Sequence, residues 1–211
     1  GSEHASRVVS KRGEKYQNVI QKILPFVRGP VVVDIGGSRG KFLTPLIKNR
    51  GDIKQAIATD IRKVNKVSDD PRVQVIVQPD ASHTGLADDS ADTVILSLML
   101  HHIKHDERRA LLRDVQKILK PGGMLIVIED TFSEKIDNDA LNDFMMGFNG
   151  LAIDDRFKLL MFFDWFTNSI TFGNSLMPDR SAFSLPYTFE TIETWQRIFR
   201  DDLGMQLVYL E

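Results

Sequence analysis

Apolar residues along this chain follow two rhythms. Short continuous runs rich in Val and Ile occur at residues 31–35 (VVVDI), 55–61 (QAIATDI), 73–80 (VQVIVQPD), 91–100 (ADTVILSLML) and 124–130 (MLIVIED). Such runs predict strands, and the β-branched run at 31–35 a strand buried on both faces. Between them the spacing changes to three and four residues. Tyr16, Val19, Ile20, Ile23 and Leu24 share one face of a helix expected over 14–27, which Pro25 and then Gly29-Pro30 end. Residues 41–48 predict a short helix carrying Phe42, Leu43, Leu46 and Ile47. Residues 105–119 predict an amphipathic helix with Leu111, Val115, Ile118 and Leu119 as its stripe, stopped by Pro121-Gly122-Gly123. A last helix is expected over 188–202, capped by Thr188, with Ile192, Trp195, Ile198 and Phe199 facing inward. The run MQLVYL at 205–210 predicts a closing strand.

Strands alternating with helices predict an α/β fold, a doubly wound Rossmann-like sheet. Residues 131–186 break the alternation. They are rich in Phe and Met, and FKLLMFFDWF at 157–166 is helical in pattern. This segment reads as a helical, aromatic-rich insertion after strand five, a substrate-side cap lying over the sheet edge. The 211 residues suit a single domain over 1–211. The initial Gly1-Ser2 reads as a cloning remnant, so the natural polypeptide is expected to be longer.

Composition narrows the chemistry. Hydrophobic residues make up 42% and charged residues 27%, enough apolar material for a core. The formal charge of -2 supplies no general attraction to nucleic acid or anionic lipid. The absence of cysteine excludes disulfides, thiolate metal sites and a cysteine nucleophile. No apolar run reaches the roughly 18 residues that span a bilayer, and no signal-peptide pattern opens the chain; a cytoplasmic location is expected.

In an open α/β sheet, ligands sit beyond the carboxyl ends of the strands. Four of the five predicted strands end in acids: Asp34, Asp60, Asp80, and the pair Glu129-Asp130. Buried carboxylates are costly, so folding alone does not explain this pattern. After Asp34 come Gly36, Gly37 and Gly40. The dinucleotide fingerprint fails here, because Ser38 and Lys41 stand where its second and third glycines would fall. A phosphate loop fails too, since Phe42 follows Lys41. Asp34 would also repel a pyrophosphate. A cationic, phosphate-free ligand turns that repulsion into attraction. S-adenosylmethionine, with a sulfonium and an ammonium, meets the requirement. Asp60 then suits the ribose hydroxyls. Asp80 suits the adenine amino group, with the Ala81 backbone N–H facing the ring.

These pieces resemble the class I S-adenosylmethionine-dependent methyltransferases. The resemblance rests on VVVDIGGSRG, ATD, QPDAS, LADDSADTVILSLMLHHI and ILKPGGMLIVIED, over about residues 14–130. The LxxDSADxV…LHHI block together with LKPGG is similar to the small-molecule branch. The resemblance implies a cofactor site of Asp34, Gly36, Gly37, Ser38, Gly40, Asp60, Ile61, Asp80, Ala81 and Ser97, with S-adenosylhomocysteine as product. Two departures stand out: Ser38 replaces a usual glycine, and only one of the family's two last strands is present. The sheet edge is then expected to be completed by a neighbouring domain or subunit.

On the acceptor side, His101, His102 and Glu129 are the candidates for catalysis, as general base or its partners. Asp130, Phe163 and Trp165 are candidates for contacting the acceptor. His101 and His105 have the i, i+4 spacing of metal ligands. The resemblance explains LHHI without an ion, and no metal is assigned. Arg62, Lys63 and Lys66 read as a solvated face, Arg39 as a possible partner of the methionine carboxylate, and Asp88, Asp89 and Asp92 as loop or cap acids. The leading expectation is in-line transfer of a methyl group to a small, partly apolar acceptor. The alternatives are an RNA cap-type methyltransferase within a multidomain protein, and a non-catalytic module for cofactor sensing or interaction.

Overall fold

A computed structural model describes residues 17–48, 50–66, 68–134, 148–173 and 188–210, with side chains of the long helix given only as far as residue 164. Trp165 therefore lies outside the described side chains, and much of the 131–186 insertion lies outside the described residues. The chain divides into two compact units, one of residues 1–97 and 107–128, the other of 98–106 and 129–211.

The first unit is built on five parallel strands: β1 (Val31–Ile35), β2 (Gln55–Asp60), β3 (Val73–Val77), β4 (Ala91–Ser97) and β5 (Leu119–Ile128). Their spatial order is β3-β2-β1-β4-β5, a doubly wound sheet with β1 at its centre, as the alternating pattern predicts. Helix α1 (17–23) and helix α2 (Leu43–Lys48) cover one face. Ile20, Ile23, Leu43, Leu46 and Ile47 pack there with Val32, Ala56, Ala58, Ile95 and Ile126 in one cluster. Alternate strand residues Val33, Ile35, Val94 and Leu96 are equally buried and point to the opposite face. Helix α3 (His105–Ile118) buries Leu111, Leu112, Val115 and Ile118, the stripe read from its spacing.

Several local expectations need correction. Strand β5 starts at Leu119, earlier than its apolar run, and the ladder shifts register between Ala91 and Thr93 to absorb Pro121–Gly123. Asp92 is no solvated cap: it accepts from the Val31 backbone N–H at 2.9 Å and from Lys120 Nζ at 2.9 Å. The run at 205–210 forms no strand, and Leu207, Val208, Tyr209 and Leu210 are exposed. An apolar run is a strand only where a partner strand completes its hydrogen bonds.

The second unit contains helix α4 (Ile153–Gly173) and helix α5 (Ile192–Arg197). Arg156 is buried near the start of α4. Its guanidinium donates to the carbonyls of Leu151 and Asn149 and lies over the rings of Phe132 and Phe148. Residues 131–134 are tied to the start of α5: Ile192 N–H donates to Phe132 O, and Ser133 Oγ and Glu134 N–H donate to Glu193. The cap of α5 is Thr191, whose hydroxyl accepts from Thr194 N–H at 3.2 Å, and not Thr188. Thr188 donates instead to Ile103 O at 2.7 Å, and its N–H donates to His101 O at 2.7 Å. Among the described residues no helix is long and apolar enough to cross a membrane.

Candidate functional site

In the first unit, register aligns the strand tips. Ile35 lies opposite Thr59 on one side and Leu96 on the other, so Asp60 and Ser97 each stand one residue beyond its level. Asp34, one residue below, is 1% exposed. Neither of its carboxylate oxygens has a hydrogen-bond partner among the described residues. Burial alone pushes its pKa up to about 7. An orphaned buried carboxyl at the centre of a parallel sheet is costly to the fold, and this is the tip where such sheets bind ligands.

The turn that follows is shaped around that carboxyl. Gly36 and Gly40 have φ of 72° and 75°, in the region that favours glycine. A Cβ on Gly37 would stand 2.3 Å from Asp34 Oδ2 and 2.8 Å from the Asp34 carbonyl. Gly37→Ala should therefore destabilise the unit by roughly 1–3 kcal/mol and lower affinity for the ligand at the turn. Gly51→Ala, which adds a Cβ with nothing within 4 Å, is its control in thermal melts. Ser38 adopts φ of 49° where the resemblance has glycine, so the serine keeps the backbone of the turn at some conformational cost. Arg39 is exposed and donates to Asn65 O at 3.0 Å.

Asp60, 5% exposed, accepts from Arg62 N–H at 2.8 Å and from Arg62 Nε at 3.2 Å. Arg62 stays on the exposed face assigned to it, with 46% of its side chain exposed, while its guanidinium reaches back to the strand tip. The neighbouring Ile61 is 56% exposed, a large apolar surface beside a buried acid. Asp80 is exposed and accepts from Ser82 N–H and Oγ at 2.7 and 2.6 Å, and this holds its carboxyl below the usual range. The residue missed by sequence reading is Gln78. Buried, it accepts from Thr59 Oγ1 at 2.8 Å and donates to Asp80 O at 2.7 Å, while its N–H donates to Asp60 O. It ties the tips of β2 and β3 together.

In the second unit, Glu129 organises residues 98–102. One oxygen accepts from Met99 and Leu100 N–H at 2.9 and 2.6 Å, and the other meets His101 Nδ1 at 2.6 Å. The His101 ring stacks on Phe189 with centroids 4.6 Å apart. His101 Nε2 lies 3.7 Å from Asp164 Oδ1, and His102 Nε2 lies 3.9 Å from Asp164 Oδ2. Burial disfavours a charge on His101, but Asp164 and Glu129 outweigh it and hold its pKa up at about 9. Burial, followed by the charge on His101, lowers His102 to about 4. Asp164 had no signal in the sequence, since a lone acid in an apolar helix reads as solvent-facing.

His101 and His105 share no helix. His101 lies in a 3-10 turn (Leu100–His102), whereas His105 opens α3 and faces Glu190 Oε1 at 3.5 Å. Asp130 and Phe163 are exposed. A cleft of about 580 Å³ in this unit is lined by Lys104, His105, Asp106, Phe157, Met161, Thr188 and Phe189.

Comparison with known proteins follows the same lines. Residues 33–127 match a family model described as a methyltransferase domain. The chain is 30% identical to the ubiquinone/menaquinone biosynthesis C-methyltransferase of Haemophilus ducreyi, over 52% of this chain and 44% of that protein. It is 27% identical to a phosphoethanolamine N-methyltransferase of Triticum aestivum, over 55% of this chain and 24% of that one. The chain thus spans less than half the length of these relatives. Among solved structures, a candidate methyltransferase from Bacillus halodurans matches with a TM-score of 0.54 at 16% identity, covering 91% of this chain and 71% of that one.

Proposed function

We propose that this chain, whose residues 33–127 match a methyltransferase domain, is a class I S-adenosylmethionine-dependent methyltransferase that transfers a methyl group from that cofactor to a small, partly apolar acceptor. The observation that carries the proposal is Asp34: a buried carboxyl with no hydrogen-bond partner among the described residues, enclosed by a turn that tolerates no Cβ at Gly37. A phosphate would be repelled there and a cation held. We assign the methionine end of the cofactor to Asp34, Gly36, Gly37, Ser38 and Gly40, with Ser97 on the adjoining strand tip. The ribose falls to Asp60 and Ile61, and the adenine to Asp80 and Ala81. When bound, the cofactor supplies an electrophilic methyl on a sulfonium whose leaving group is a neutral thioether.

The protein's own residues then align the acceptor, exclude water, and remove a proton where the acceptor carries one. We assign these tasks to the cluster of His101, His102 and Glu129, with Asp130, Phe163 and Trp165 as further acceptor contacts. Both oxygens of Glu129 are already engaged, so its part is to aim His101. The apolar character of the acceptor is supported by Phe157, Met161 and Phe189 in the cleft.

Asp60→Ala should weaken S-adenosylhomocysteine binding by a hundredfold or more, at about 1.5–3 kcal/mol per hydrogen bond to a charged group. Far-UV circular dichroism should stay unchanged. Wild-type affinity in calorimetry of the variant would overturn the assignment. Incubation with labelled cofactor and a metabolite extract should place label in a small apolar product. Label in capped RNA, with salt-sensitive RNA binding, would favour a nucleic-acid acceptor instead.

A further inference from the structure

Among the described residues, His101, His102 and Asp164 form a group of ligating side chains outside the proposed cofactor site. Their ligand atoms all lie within 4.8 Å of one another. The two imidazole-to-carboxylate separations, 3.7 and 3.9 Å, compare with roughly 3.3–3.5 Å between two ligands of a tetrahedral ion with bonds of 2.0–2.1 Å. Each carboxylate oxygen of Asp164 faces a different imidazole, so one small inward movement serves both. His101 is 1% exposed, Asp164 15% and His102 29%, so the group is walled on one side and open on the other.

The surroundings fit a metal in a second way. A metal-bound histidine commonly engages its other ring nitrogen with a carboxylate, which fixes tautomer and orientation. Glu129 occupies that place at 2.6 Å from His101 Nδ1, and is itself fixed by two backbone N–H groups. Phe189 stacked on the ring blocks its rotation. Two neutral imidazoles with Asp164 bound directly and Glu129 behind would balance a dication.

We propose that His101, His102 and Asp164 form a site for one divalent transition-metal ion of the zinc type, with Glu129 orienting His101 and one coordination position left for the acceptor. The donor set of two histidines and a carboxylate is one that zinc and ferrous iron both accept. An acceptor hydroxyl held at the open position would lose its proton to solvent more readily. That last role rests on the methyl-transfer reading; metal binding does not.

The test uses the full chain, stripped with chelator and titrated with Co2+ and then Zn2+. One equivalent of Co2+ should give visible ligand-field absorption of a low-coordinate nitrogen and oxygen site, and Zn2+ should displace it. Asp164→Ala and His102→Ala should each weaken Co2+ affinity at least tenfold, whereas His83→Ala with His105→Ala should leave it unchanged. Asp164→Asn, closer in size, guards against loss of folding, with circular dichroism as the check. No stoichiometric Co2+ spectrum, or a spectrum indifferent to Asp164→Asn and Asp164→Ala, overturns the proposal. S-adenosylhomocysteine affinity, measured by calorimetry on the same samples, reports separately on the cofactor assignment.

Discussion

Asp34→Asn should abolish S-adenosylmethionine binding and, in the same stroke, make the free protein more stable above neutral pH. The two effects share one cause. The carboxyl is buried without a partner among the described residues, and burial raises its pKa to about 7 from a reference of 3.8. A carboxyl whose folded pKa lies above its unfolded one favours folding only while protonated. Its cost is therefore absent near pH 4, grows as pH rises toward 7, and is complete above that. At about 1.36 kcal/mol for each pH unit across the window, the full cost is roughly 4 kcal/mol. An isosteric amide removes the charge and most of that cost. For a chain of this size the thermal midpoint at pH 8 should rise by about 5–10 °C, with little difference between variant and wild type at pH 4.5. Calorimetry should find no cofactor binding in the variant. In the wild type, affinity should climb with pH to about 7 and then level off, because only the ionised carboxyl attracts the cation. Equal melting gains at both pH values, or retained binding, would show that Asp34 is not the counter-charge.

The second large effect is expected in the other unit. Glu129→Ala removes the acceptor of two backbone N–H groups and the partner of a buried imidazole at once. Breaking such a buried pair costs about 3–5 kcal/mol. Residues 98–102 should lose their fixed conformation, and methyl transfer should fall by at least a hundredfold. Cofactor binding, which we assign to strand tips of the first unit, should survive within a factor of a few. Glu129→Gln keeps an acceptor for the backbone and should recover most of the stability but little of the activity. Hydrogen exchange at Met99 and Leu100, read beside turnover, separates the two contributions. Slow exchange in Glu129→Ala would contradict the anchoring role.

Much of this was legible in the residues because the signals are local. Short runs rich in Val, Ile and Ala marked β1 to β4, and the three-and-four spacing marked α3. Acids at strand ends, the first followed by glycines, suggested where the cofactor would lie, since a carboxylate has little other reason to close an apolar strand. What stayed hidden depends on residues distant in sequence. Asp164 meets two histidines more than sixty positions earlier, and nothing near it in the chain announces this. Thr188 and Thr191 are equally good caps by type, and only the bond from Thr188 to Ile103 O decides between them. The run at 205–210 has the composition of a strand, but composition does not supply a neighbour. Arg62 is solvent-facing as its type suggests, but periodicity does not show its bond back to Asp60 two residues earlier.

Gln78 carries one further consequence. By joining Thr59 to the carbonyl of Asp80, it links the ribose end and the adenine end of the proposed site through one buried side chain. The cofactor then divides into two fragments with different thermodynamics. Adenosine, which carries no cation, should bind with an affinity that does not follow the titration of Asp34. Methionine alone depends on a proton leaving a buried carboxyl, and should bind weakly at any pH below neutrality. On this proposal, joining the fragments would bring the sulfonium to Asp34 through the nucleoside's grip, so Gln78, by fixing the two strand tips, would help decide where the methyl group points.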